Sequence, residues 1–514
     1  MSTLIDMWKA TVARRGPELA LVAPGARVTW ARLESGARQV AAWLQNHGLQ
    51  PGDRVVLQLP NSAEYIAAYF GILRAGGVVV GLHPGLLPEE LDRLLAHSEA
   101  RCMITTLDQH QLLKSRTQPP VLPCVPNSLL EFGVDGLGVV TTDHEPTVRP
   151  EALAQIIYTS GTTGRPKGVC LTHSALVANT RAIVECLRLT ETDIGLGALP
   201  FVYSYGNSVL LTHVAVGARL VLPHDLVFWN RTLDLLQREA VTGLSGVPAT
   251  FAMLFQKSNF ANCEFPHLRY VTCAGGALPE EVFHRLRGVL PHVEIHLMYG
   301  QTEAGARLSM LPPSDVFDRP RSIGRGLPGV TLQVVDPQGQ VVRGNQEVGE
   351  LVAQGPNLMQ GYWKDPELTS QVLRDGWLHT GDLACRDEQG FLFIVGRRVD
   401  MIKVGAYRVA PAELEEILCG CPGVAEVAVV GLPDSLWGQV PVAFVVPQQN
   451  LEPPLSSEAV LEYVSGKVPV FKRPRSVRLV LALPRTLNGK INRLKLMDLE
   501  CPMGPTVSAT TAER

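Results

Sequence analysis

Apolar and polar residues alternate along this chain in two rhythms, one helical and one strand-like. The first predicts a helix over residues 32–47 and another over 63–74. Between them DRVVLQLP at 53–60 reads as a strand, and a second apolar run, GGVVVGLHP, follows at 76–84. Helical patterns that alternate with short apolar runs predict α/β architecture with largely parallel sheets. The Pro-rich, weakly periodic stretch over 119–150 reads as a long connection or a subdomain edge.

Farther along, AQIIYTS is a strand candidate, followed by a Gly/Thr-rich loop and a helix over SALVANTRAIVECLRL. Near residue 391 the strand FLFIVG runs into the charged GRRVD, and a new α/β unit of about one hundred residues begins at 401–418. The expected organisation is a large multi-subdomain N-terminal domain over 1–396 with mainly parallel sheets. A small α+β C-terminal domain follows over 397–500, and 501–514, small and polar, forms a frayed tail.

Composition narrows the function classes. A chain of 514 residues is too long for one ordinary core, and 46% apolar with 18% charged residues is a globular composition. Lys and Arg total 46 against 49 for Asp and Glu, a formal charge of −3, so no global basic field attracts nucleic acid or an anionic membrane. No stretch has the length and purity of a membrane span, and the N-terminus has no long apolar run behind its basic residues, which predicts a cytoplasmic protein. The ten cysteines are scattered; the closest pair, Cys419 and Cys421, has no further Cys or His at metal-ligand spacing, which predicts reduced thiols and no zinc.

The strongest local signal is YTSGTTGRPKG at 158–168. Its glycines, Gly161 and Gly164, allow sharp turns that present backbone N–H groups. The hydroxyls of Thr159, Ser160, Thr162 and Thr163 add donors, and Lys167 adds positive charge, together a cradle for phosphates. It is not the Walker loop, which requires Gly where Pro166 stands and Ser or Thr where Gly168 stands.

This loop closely resembles the signature of the adenylate-forming superfamily, which contains acyl- and aryl-CoA synthetases, luciferase and peptide-synthetase adenylation domains. Further motifs resemble that family in the expected order. Ala274-Gly275-Gly276-Ala277 is similar to the small-residue segment along the adenine and acyl pocket. In MYGQTE the resemblance implies that Tyr299 lies against adenine beside Gly300, Thr302 approaches the α-phosphate and Glu303 holds Mg²⁺. A divalent cation resolves the repulsion between a carboxylate and polyphosphate. In WLHTGD, Asp382 would accept from both ribose hydroxyls, and Arg397 would also reach the ribose. PRTLNGKINR at 484–493 resembles the motif of the catalytic lysine, here Lys490, whose ammonium would stabilise the charge crowding onto phosphorus.

The family's hinge position falls on Val399, where Asp or Lys is common, and KVGAYRV at 403–409 is shifted relative to the usual glycine. Lys403 and Gly405 are the resulting candidates for the thiol tunnel. The resemblance implies a mobile small domain and the use of ATP, Mg²⁺ and coenzyme A: the acid attacks the α-phosphate, pyrophosphate leaves with Mg²⁺, and a thiol takes the acyl group. LPFVYSYGNS resembles the acyl-pocket segment, with Phe201, Tyr203, Tyr205 and Gly206 against Gly275 and Gly276. It lacks the Asp that pairs with an α-ammonium, so an apolar pocket for a fatty or aromatic acid is expected. A carrier-protein phosphopantetheine is the alternative acceptor. A silent nucleotide- or acyl-binding sensor is disfavoured by the presence of Lys490 and Glu303, and a luciferase-type monooxygenase has no separate support. Whether the chain is a monomer or homodimer is open.

Overall fold

The computed structural model describes residues 2–106, 108, 121–124, 145–160, 166–224, 228–397, 401–404, 407–434, 437–448, 452–468, 470–486 and 490–498. Two compact units result: one of 1–333, 352–380 and 386–393, the other of 334–351, 381–385 and 394–514.

The helical pattern at 63–74 becomes the helix Ala63–Arg74. Ser62 caps it by accepting from the Tyr65 N–H at 3.1 Å, Glu64 and Arg74 sit at the ends that their charges favour, and residues 63–73 are all buried. The preceding pattern becomes Trp30–Asn46, capped by Thr29. The apolar run after them contains the strand Val78–Gly81, fully buried because parallel neighbours flank it: Val79 pairs with Val55 on one side and with Gln155 on the other.

That strand is central to a seven-stranded sheet running Gly361–Tyr362, Pro166–Thr172, Leu153–Ser160, Val78–Gly81, Arg54–Gln58, Ala100–Thr106, Val121–Cys124. The sequence reading passed from the Gly/Thr-rich loop directly to a helix. The structure inserts the strand Pro166–Thr172, antiparallel to Leu153–Ser160, before the helix His173–Leu187. Both faces of its second half are buried, so it carries no alternation to mark it as a strand.

In a second sheet of the same unit, Leu19–Ala23, Arg219–Val221, Ile194–Leu196, Gly243–Gly246, Tyr270–Cys273 and Glu294–Tyr299 are consecutive parallel neighbours. Phe251, Phe260, Phe283 and Leu286 pack beneath it. Only the added strands, among them Ser309–Leu311, run antiparallel.

The second unit is built on a long antiparallel pair, Val424–Asp434 with Gly438–Pro447, extended by Ile402–Val404, Tyr407–Val409 and Ser476–Leu479. The helices Pro411–Cys419 and Ser457–Ser465 contribute to the core on one face, and Leu483 and Leu496 to the core on the other. Among the described residues no helix is long and apolar enough to cross a membrane.

Candidate active site

The strands Tyr270–Cys273 and Glu294–Tyr299 are parallel neighbours, and both motifs of small and polar residues begin at their carboxyl ends, where open α/β sheets bind ligands. After the first, Gly275 turns with φ +84° and Gly275, Gly276 and Ala277 stand exposed. After the second, Tyr299 and Gly300 are half-buried. Gly300 is required by close approach: a Cβ there would lie 2.0 Å from the Ala306 carbonyl oxygen and 2.5 Å from the Arg307 Cα.

A single 3₁₀ turn, Thr302–Ala304, then sets two candidate side chains, Thr302 and Glu303. The Met359 N–H donates to the Glu303 carbonyl at 2.8 Å and the Asn357 amide donates to that of Ala304 at 2.9 Å, so the turn is held from the backbone. This leaves the Thr302 hydroxyl 3.2 Å from that of Ser204. The Tyr362 hydroxyl donates to Glu303 Oε1 at 2.8 Å. Burial and then the Glu303 carboxylate push the Tyr362 phenol far above its usual range, so it remains a donor. Lys167 Nζ stands 5.5 Å from the centre of the Tyr362 ring, bringing positive charge to the same corner.

Thr159 lies opposite Lys167 in the antiparallel pair that closes the Gly/Thr-rich loop, and the backbone of Ser160 lies opposite Pro166. Gly161, Thr162, Thr163 and Gly164 lie outside the described residues.

Glu303 is oriented here by the Tyr362 hydroxyl. Among the described residues no group of three or more His, Cys, Asp or Glu side chains forms a metal cage. One anchored carboxylate near Lys167 suits Mg²⁺, which keeps several waters and takes its remaining ligands from phosphates.

The segment before the helix Ser204–Val216 is fixed by Asn61: its amide donates to the carbonyls of Gly197 and Leu199 at 3.0 and 2.7 Å and accepts from the Phe201 N–H at 2.8 Å. Phe201 is fully buried against Tyr65, with ring centres 5.6 Å apart. Tyr203 stacks on His83 at 6.0 Å. Tyr205 is tied to Thr272, donating to its carbonyl at 3.1 Å with its hydroxyl 2.8 Å from Oγ1. Burial raises the phenols of Tyr203 and Tyr205 to about 12, so both stay neutral. Gly206 admits no side chain, because a Cβ would lie 2.1 Å from the Pro200 carbonyl oxygen.

In the second unit Asp382 is buried and accepts from Arg397 Nε at 3.0 Å, while the arginine is half exposed. The adjacent Gly381 N–H donates to Glu350 at 3.3 Å. Lys490 is exposed, and the backbone on either side of it is paired: its carbonyl accepts from the Thr486 N–H at 2.8 Å, Arg485 forms an isolated antiparallel bridge with Ile491, and the Asn492 N–H donates to the Pro484 carbonyl at 2.7 Å. Lys403 lies in the strand Ile402–Val404, of which the backbone alone is described at that position; Val399 and Gly405 lie outside the described residues, as does 501–514.

Sequence reasoning missed Asn61, Tyr362 and Arg307. Arg307 follows the functional turn and is 2% exposed, its guanidinium 4.9 Å from the centre of the Tyr205 ring. A charged residue at a buried position inside an otherwise apolar motif was the available signal.

Residues 8–363 match the model of the AMP-binding enzyme family and 413–490 that of the AMP-binding enzyme C-terminal domain. The chain is 33% identical over 540 aligned residues to a long-chain-fatty-acid–CoA ligase of Escherichia coli O157:H7, covering 96% of this chain and 94% of the relative. It is 32% identical over 493 residues to a feruloyl-CoA synthase of an Amycolatopsis species, covering 95% and 97%. A solved anthranilate CoA ligase in complex with anthranoyl-AMP superposes with a TM-score of 0.87 at 28% identity, covering 97% of each chain.

Proposed function

The chain belongs to the AMP-binding enzyme family and is an AMP-forming acid–thiol ligase that activates a carboxylic acid with ATP and passes it to coenzyme A; from that premise we propose which of its residues carry the two half-reactions. The observation that carries the assignment is the single turn that sets Thr302 against Ser204 and Glu303 against Tyr362, with Lys167 beside it.

In this reading Thr159, Ser160, Gly161, Thr162, Thr163, Gly164 and Lys167 cradle the β- and γ-phosphates, and Thr302 donates to the α-phosphate. Tyr299, Gly300, Gly275, Gly276 and Ala277 bound the adenine, and Asp382, oriented by Arg397, takes the ribose hydroxyls. Glu303 would hold Mg²⁺, which would supply neutralisation of phosphate charge there. Tyr362 keeps the Glu303 carboxylate aimed by donating one hydrogen bond to it.

Lys490 supplies the ammonium that bridges the attacking carboxylate and the α-phosphate, an interaction that strengthens as charge accumulates in the transition state. Backbone pairing of 484–486 with 490–492 holds the main chain from which this lysine projects. Lys403, Gly405 and Val399 act in the thiol half-reaction and in the hinge between the 1–396 and 397–500 domains. The acid has a fatty or aromatic frame, a reading supported by the acids named for the relatives.

The test is pyrophosphate release by purified protein with ATP, Mg²⁺ and a panel of fatty, aryl and amino acids, with and without coenzyme A. Acid-dependent release that requires coenzyme A for turnover is expected, and Lys490→Ala lowers it by roughly 10²- to 10³-fold. Release confined to one stoichiometric burst, which coenzyme A leaves unchanged, identifies a carrier-protein thiol as acceptor instead. Undiminished turnover in the Lys490 variant removes the lysine from the mechanism.

A further inference from the structure

The ligase reading leaves Arg307 unexplained. It is 2% exposed, its Nε has no hydrogen-bond partner, and among the described residues no carboxylate lies within ion-pairing distance. Its one hydrogen bond to a side chain, from Nη1 to the Met298 sulfur at 2.8 Å, uses a weak acceptor. The face of Tyr205 offers partial compensation at 4.9 Å. Burial lowers its pKa, and its other listeners, Tyr270 and Cys186, are neutral groups.

The two carboxylates whose fields overlap with that of Arg307 at neighbouring histidines are already committed. Asp193 accepts from Arg269 Nη2 at 3.0 Å, from Thr242 at 2.8 Å and from the Thr190 N–H at 2.8 Å. Glu294 is paired with Arg188 and faces His296 at 3.3 Å. A guanidinium buried without an anion is costly, and such a group is ordinarily paired. Among the described residues nothing supplies its counter-charge, a place that an anion from outside the protein would fill.

The position of Arg307 says where that anion would sit. Thr302, assigned to the α-phosphate, touches Ser204; the next residue, Tyr205, carries Arg307 on its ring. The guanidinium thus lies on the ring of the residue that follows Ser204, and the backbone of Arg307 is held close against Gly300.

We propose that Arg307 is a specificity-determining residue that pairs with a second carboxylate, carried by the acid substrate at its end remote from the carboxylate that is activated. The proposal rests on the ligase reading above and deepens it: the substrate is a dicarboxylic acid whose carbon frame spans Tyr205, in place of the simple fatty or aromatic acid expected for an apolar pocket. The second carboxylate is a recognition group, and the chemistry at the first is unchanged.

The experiment compares straight-chain and aromatic monoacids, each beside the diacid of the same frame, by pyrophosphate release with the full-length protein. The diacid is expected to exceed its matched monoacid in kcat/KM by at least roughly 10-fold in the preferred frame. Arg307→Met is expected to raise the KM for that diacid by about 100-fold and leave the monoacid unchanged or improved, while Arg307→Lys retains part of the preference. A structural role alone would lower both acids alike, and that result, or a wild-type enzyme that uses monoacids as well as or better than diacids, overturns the proposal. The wild-type comparison and the lysine variant decide the matter even where Arg307→Met does not fold. If no acid releases pyrophosphate, the ligase reading itself fails; Lys490-dependent turnover without diacid preference defeats the Arg307 proposal alone.

Discussion

Glu303 shows how a single side chain is prepared by a partner remote in sequence. Tyr362 lies 59 residues away, and its hydroxyl, kept protonated by burial, donates to Oε1. Tyr362→Phe removes that donor with little change in volume. The Mg²⁺ concentration for half-maximal pyrophosphate release should rise roughly 10-fold, as is typical when the partner of a metal ligand is lost; an unchanged Mg²⁺ titration would show that the Tyr362 hydrogen bond does not prepare a metal ligand. Gly300 is constrained differently, since the atoms a Cβ would strike belong to the backbone of residues 306 and 307 and cannot swing aside. Gly300→Ala should therefore cost on the order of 1–3 kcal/mol in denaturant unfolding and disturb the 3₁₀ turn that follows. Glu303 and Gly300 were legible as candidates because each sits in a contiguous motif. The steric reason for the glycine was not, because it depends on how the chain folds back at 306–307.

The helix His173–Leu187 illustrates what burial does to an element. His173, at its first position, accepts the Leu4 N–H at Nδ1 at 3.3 Å and is 1% exposed. Burial pulls its pKa from 6.5 down to about 4, with Asp6 opposing. His213 and His296, likewise buried, are lowered too. Below pH 6.5 the unfolded chain binds protons that the folded histidine refuses, so stability is complete above that pH and falls until about pH 4. For His173 the total is about 3 kcal/mol. Denaturant unfolding measured at pH 7 and pH 4.5 should show a smaller acid loss in His173→Asn than in the wild type; parallel losses would mean that the imidazole is not kept neutral by the fold. The helix itself was legible from its apolar spacing. The strand Pro166–Thr172 before it was not, because burial on both faces erases alternation.

At the scale of the whole molecule, the two hydrophobic clusters that flank the five-stranded sheet of the second unit are drawn, among the described residues, from 402–497: Leu414, Val429, Ala443 and Val460 on one face, Ala428, Phe444, Leu483 and Leu496 on the other. A fragment spanning 394–500 should accordingly fold by itself, with a cooperative thermal transition by circular dichroism and no ligase activity. A fragment that melts without cooperativity would show that 334–351 and 381–385 are needed to complete it. The sequence by itself determined the α/β class, the family and most candidate residues. Strand and helix periods, glycine turns and phosphate-binding motifs depend on residues that are covalent neighbours. Only the tertiary structure decided which side chains meet: Ser204 with Thr302 across 98 residues, Tyr362 with Glu303 across 59, and Arg307 on the ring of Tyr205. Those pairings arise because parallel strands joined by long crossovers bring distant turns to the same end of a sheet, and no local pattern records which turns will share it.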